Sequence, residues 1–185
     1  MVIASSLKST VAVEVNLQDG WFSQADLKEE TLQAIDNLTP EIWTNWLQTW
    51  LDRLCDDLPE AESYELTLRL TDDDEIQSLN TQYRQKPEPT DVLAFAALEV
   101  DVPIPSEEDA FLEPLYLGDI IISVETAARQ AQVQGHPLKL ELAWLASHGL
   151  LHLLGWDHPD EDSLEEMLTQ QETLLRLVGL VANIR

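Results

Sequence analysis

The sequence predicts an α+β fold: a single domain over residues 1–185 in which a small mixed four-stranded sheet is packed by about five helices. Three observations carry this. Four segments show the short alternating or β-branched pattern of strands, and longer ones carry apolar residues at helical spacing. The two kinds are interleaved with no repeats, low-complexity tracts or linkers between them. A chain of 185 residues is also long enough to bury one real core. Two stretches, residues 19–38 and 98–114, read as insertions into that frame.

Val11 to Leu17 alternates apolar and polar residues, as a half-buried strand does. The first insertion then holds a mixed helical segment around Ala25 to Ile35. Thr39-Pro40-Glu41 supplies an N-cap, a proline at the first helical position and an acid in the first turn. The amphipathic helix it opens runs through Ile42, Trp46, Trp50, Leu51, Leu54 and Cys55, and at least two of its three tryptophans belong in the core. Cys55 reads as a small core residue, and as the only cysteine it excludes an internal disulfide. Tyr64 to Leu70 is the second strand, with Glu65, Thr67 and Arg69 on one face. The acidic run Thr71 to Glu75 reads as a cap and dipole partner for a short helix carrying Ile76, Leu79 and Tyr83. After the proline-rich turn Gln85 to Pro89, Thr90 to Ala96 reads as a short buried strand.

The second insertion is acidic and broken by prolines, which suits a lid or a spacer. Tyr116 to Ser123 is the last strand, and the helix Val124 to Gln134 follows it. Asp119, taken to lie at the start of that strand, reads as a turn or capping residue, with a role in orienting a ligand or water as the alternative. Gly135-His136-Pro137 breaks the chain and leaves His136 in a loop. Leu138 to Leu154 is apolar nearly all round, as a helix buried at the centre of a domain is. Pro159 to Asp162 restarts the chain, and Ser163 to Leu180 forms a closing amphipathic helix.

Three of the four histidines lie on or just beyond the central helix. His148 and His152 are one turn apart on the same face, roughly 5–6 Å between Cβ atoms, a separation that lets two imidazoles share one ion. Gly155 is placed to end the helix in the left-handed conformation and turn His158 back towards the pair. Four histidines scattered at random would give this spacing on the order of once in a thousand shuffles, so a metal site outweighs hydrogen-bonded core histidines. Three neutral ligands leave a tetrahedral Zn2+ an open fourth position, where a water has its pKa lowered to about 7. The spacing also matches the zinc-protease pattern H-E-x-x-H-x-x-G-x-x-H, except that Gly149 stands where those enzymes carry the glutamate base.

The run from His148 to His158, H-G-L-L-H-L-L-G-W-D-H, resembles the signature H-G-x-L-H-L-x-G-x-D-H of the YbeY family, metal-dependent endoribonucleases of ribosomal RNA maturation. The Asn80 to Arg84 stretch, the T-D-V-L-A-F of Thr90 to Phe95 and the L-G-D-I-I-I-S of Leu117 to Ser123 resemble further segments of that family, with Ala94 where a serine is commoner. The resemblance covers about residues 64–160 by motif. It implies a single-strand-specific, zinc-dependent endoribonuclease acting in 16S rRNA 3′ end maturation and ribosome quality control. It further implies one Zn2+ on His148, His152 and His158, and activity carried by His148 and Arg84. Single-stranded RNA or rRNA is then the substrate, not DNA, with ribosomal proteins or small-subunit assembly factors as partners.

Ten basic against 35 acidic residues give a formal net charge of −25, a field that opposes approach to a polyanion. Any RNA-binding surface must therefore be a local exception, and Arg84 with Lys86 beside a tight turn is a candidate for it. The same charge favours a basic protein partner. It leaves open two other readings: a metallopeptidase or amidohydrolase, and a non-catalytic ribosome-assembly protein whose structural metal takes a fourth ligand such as Asp157 or Asp119. Asp157 otherwise reads as the acceptor of a ligand imidazole's proton or as a cap for the next helix. What separates the readings is whether Arg69, Arg84 and Lys86 line a groove to the metal. No apolar run approaches the ~20 residues of a membrane span, and no basic-then-apolar leader opens the sequence, so a cytoplasmic protein is expected.

Overall fold

The structure, a computed structural model, describes residues 11–18, 29–99 and 113–181. Half of the first expected insertion, residues 19–28, and most of the second, residues 100–112, lie outside the described residues. Tyr64, Leu66, Leu68 and Leu70 alternate along β2 (Ser63–Thr71) and are all buried, which suits this strand to the middle of a sheet. β1 (Ala12–Gln18) runs parallel on one side of it, turning Val13, Val15 and Leu17 to the core and leaving Ala12, Glu14 and Asn16 exposed. β4 (Leu115–Ser123) runs parallel on the other side. β3 (Val92–Ala96) closes the far edge antiparallel to β4, for the order β1-β2-β4-β3.

The strand expected to be buried at 90–96 is therefore an edge strand: it has one neighbour, and Leu93 is its only buried residue. Between β2 and β4 the register slips, with Tyr116 opposite Glu65 but Gly118 opposite Leu66. Gly118 takes φ +132° at this bulge, and a Cβ there would lie 2.1 Å from the Phe95 carbonyl oxygen, so only glycine fits.

Six α-helices are described, and α1 (Glu29–Asp36) overlaps the helical segment expected around Ala25 to Ile35 in the first insertion. α2 (Pro40–Arg53) buries Trp43, Trp46 and Trp50, and the Trp50 indole donates to the Leu174 carbonyl at 2.8 Å. Thr39 holds the N-cap position, but its side chain makes no capping bond. Cys55 departs from expectation: α2 ends at Arg53, the chain tightens into one turn of 3₁₀ helix, and position 55 leaves the buried stripe to become half-buried.

α3 (Asp73–Arg84) is capped by Asp72, which accepts from the Glu75 amide at 2.9 Å. Asp73 does more than oppose the helix dipole. Its Oδ1 accepts from the Ser123 hydroxyl at 2.5 Å and the Thr126 hydroxyl at 2.7 Å, and its Oδ2 accepts from Arg129 at 2.7 Å. Burial raises the Asp73 pKa, but these bonds outweigh it and hold the carboxyl below its ordinary value. The start of α3 is thereby tied to the start of α4 (Val124–Gln134), which Ser123 caps.

Alternate residues of β3 face opposite sides. Leu93 and Phe95 join Ile76, Leu79 and Ile121 under α3, while Val92, Ala94 and Ala96 join the main core on the other face. That main core holds α5 (Leu138–Leu153) and α6 (Glu161–Leu177). α5 buries eleven residues, and its backbone lies so close to β4 that a Cβ at Gly149 would stand 2.6 Å from the Ile120 Cγ2. Ile120 is fully buried and has no room to retreat. Gly149→Ala should destabilise the protein by about 1–3 kcal/mol in denaturant melts. Wild-type stability in that variant would mean the contact is not a rigid one.

Candidate metal centre

α5 places His148 and His152 on one face, and the turn after it returns His158 to them. That turn has the geometry anticipated from Gly155, which adopts φ +84°. The Gly155 amide donates to the His152 carbonyl and the Trp156 amide to the Leu151 carbonyl, both at 3.0 Å, a double closure of the helix end. One ring nitrogen from each of His148, His152 and His158 lies within 4.8 Å of the others. The Nε2 atoms of His148 and His152 are 3.1 Å apart.

A residue the sequence did not flag sets the tautomer of His148. Gln171, fully buried on α6, donates from Nε2 to the Trp144 carbonyl at 3.2 Å, so its Oε1 is the atom turned to His148 Nδ1, also at 3.2 Å. An amide oxygen only accepts, so Nδ1 carries the proton and the Nε2 lone pair points at the other histidines. Burial, and then the neighbouring His152 and His158, lower the pKa of His148; burial, and then His158, lower that of His152. Neutral imidazoles with free lone pairs at short separation fit a borderline divalent cation such as Zn2+. The sequence signal for Gln171 was a polar residue on the buried stripe of α6, between Met167 and Leu174.

The histidines form one wall of a cleft of about 320 Å3 whose other lining residues include Arg84, Asp91, Val92, Ala94, Gly149 and Asp157. Arg84, the last residue of α3, thus reaches the site. Of the three cations singled out, the other two are elsewhere: Arg69 is paired with Glu75 at 2.7 Å, and Lys86 is exposed outside the lining. Asp157 plays neither role expected of it: its Oδ1 accepts from the His158 backbone at 2.8 Å, and Asp160 caps α6. Asp119 is well inside β4, not at its start, and accepts from the Tyr116 hydroxyl at 2.7 Å, so it is neither cap nor ligand. Among the described residues the candidate metal group is the three histidines alone. His136 is in a loop as anticipated, with Nε2 2.8 Å from the Glu141 carboxylate.

Gln171→Leu should weaken zinc binding about 10- to 100-fold in a chelator competition, since a partner that orients a ligand imidazole typically has that effect. Because the fold holds His148 and His152 below their ordinary pKa, the unfolded chain takes up protons at these two positions first on acidification. Metal-free protein should therefore lose stability as pH falls through about 6.5, and His148→Gln should flatten part of that slope in thermal melts.

The family model described as endoribonuclease YbeY matches residues 28–179. An endoribonuclease YbeY from Nostoc sp. is 53% identical over 175 residues, covering 94% of each chain. One from Synechocystis sp. is 50% identical over 179 residues, covering 96% of each. The solution structure of a protein from Thermotoga maritima superposes with TM-score 0.50 at 23% identity, covering 90% of this chain and 88% of that one, which is a likeness of fold. On the family match and these identities, the chain belongs to the endoribonuclease YbeY family.

Proposed function

We propose that the protein is a single-strand-specific, zinc-dependent endoribonuclease with one ion held by His148, His152 and His158 and with His148 and Arg84 as its catalytic residues. Its setting is the cytoplasm, in 16S rRNA 3′ end maturation and ribosome quality control, alongside ribosomal proteins or small-subunit assembly factors. No helix among the described residues is long and apolar enough to cross a membrane. The observation that carries the reading is the placement of Arg84 and the three histidines around one cleft.

His148, His152 and His158 would hold the ion, which when bound would supply a Lewis acid for a phosphoryl oxygen and a more acidic water. The Arg84 guanidinium, a planar fork, grips two oxygens of the scissile phosphate and stabilises charge developing on them. Gln171 holds the His148 ring in its working tautomer. Two carboxylates line the cleft. Asp91 has both oxygens engaged, by the Val92 amide and by Gln130, whereas Asp157 has one, by the His158 amide, so Asp157 is the carboxylate assigned to take a proton from attacking water.

The other readings lose ground on specific contacts. A glutamate base at position 149 is blocked by Ile120, which disfavours peptide hydrolysis of the usual kind. A purely structural metal needs a fourth protein ligand, and neither Asp157 nor Asp119 joins the group.

Cleavage of a fluorescent single-stranded RNA tests the proposal, with metal content measured on every preparation. His148→Ala should abolish both zinc binding and cleavage. Arg84→Ala should keep the metal and lose about 10²- to 10³-fold in kcat. Chelation should remove activity and added zinc restore it. Wild type that binds one ion yet cleaves no faster than His148→Ala would end the nuclease reading.

A further inference from the structure

Tyr83 closes the inner stripe of α3, four residues after Leu79, yet it is 58% exposed. Its ring is held edge to face against Phe95, with centroids 5.0 Å apart and planes at 67°. Phe95 faces the opposite side of β3 from Ala94, and Ala94 lines the cleft. Tyr83 therefore lies across the edge strand β3 from the cleft. The next residue, Arg84, enters the cleft itself, and exposed Lys86 follows two positions later.

The turn that carries these side chains is braced. The Asn80 side chain donates to the Glu88 carbonyl at 2.8 Å, the Lys86 amide donates to the Asn80 carbonyl at 3.3 Å, and the Gln77 side chain donates to the Pro87 carbonyl at 2.9 Å. Gln85 is held at φ +59° between the two cations. A fixed aromatic ring with exposed surface, followed in sequence by two cations in a chain with only ten, has the chemistry of a site for unpaired nucleobases.

We infer that Tyr83 is a stacking platform for a nucleobase of single-stranded RNA, taking the base next to the phosphate that Arg84 grips. The inference rests on the RNA reading above and deepens it. A paired base is already stacked in its duplex and has no free face to offer, so the platform makes the site selective for single strands. Lys86 receives a further phosphate along the same strand.

The test is stopped-flow mixing of the zinc-loaded protein with a short RNA carrying 2-aminopurine, whose fluorescence is quenched on stacking, so that binding is read before turnover. Wild type and Tyr83→Phe should both quench. Tyr83→Ala and Tyr83→Leu should lose the quench and bind about 5- to 140-fold more weakly, while binding to duplex RNA is unchanged. The leucine variant keeps apolar packing on Phe95 without a π face, and zinc content with a thermal melt establishes that each variant is folded. Wild-type quench and affinity in Tyr83→Leu, or equal losses for single and double strands, would overturn the proposal. Cleavage without any quench would overturn it and spare the nuclease reading; quench without cleavage would support the platform and remove that reading.

Discussion

The close approach of α5 to β4 at Gly149 and Ile120 is the constraint on which the site depends. Gly149 sits between the two helical histidines, so its contact with Ile120 fixes the height of both above the sheet. With the helix that low, Val92 and Ala94 of β3 become part of the cleft that the histidines wall. The same contact removes the position from which a glutamate would serve a zinc protease. One missing side chain thus sets the geometry of the site and narrows its chemistry.

Much of this was legible in the sequence because it is local. The turn-apart pair His148 and His152, the left-handed Gly155 and the return of His158 follow from helix pitch and glycine stereochemistry, and the structure brings the three rings together. The alternation of β1 and β2 was equally readable. What escaped depends on distant partners. Gln171 reaches His148 across 23 positions, and the polar character of one stripe residue does not say what it will meet. Asp119 and Asp157 were misjudged for the same reason, since a carboxylate's role is set by the donors beside it. Cys55 failed on a helix that stopped two residues earlier than its apolar pattern.

The acidity of the chain is easier to reconcile with RNA once the cleft is considered alone. Its lining carries one cation, Arg84, against two carboxylates, Asp91 and Asp157, beside His148 and His152, whose burial favours the neutral ring. Counting those three charged side chains alone, the lining is negative by one without an ion and positive by one with a divalent ion. Occupancy of the histidines therefore decides the sign of the field that a phosphate meets at short range, where screening by salt is weakest.

The hydrogen-bonded knot at Asp73 has a mechanical consequence. α3 is clamped to α4 at its first residue and carries Arg84 at its last, so it is a rigid lever about 18 Å long with its fulcrum at the knot. A tilt of about 3° at the fulcrum swings the tip by about 1 Å, and a displacement of about that size at a reacting group can cost about 100-fold in rate. Ser123, Thr126 and Arg129 at the opposite end of the helix thus share the aiming of the guanidinium with the Phe95 contact and the braced turn beside it.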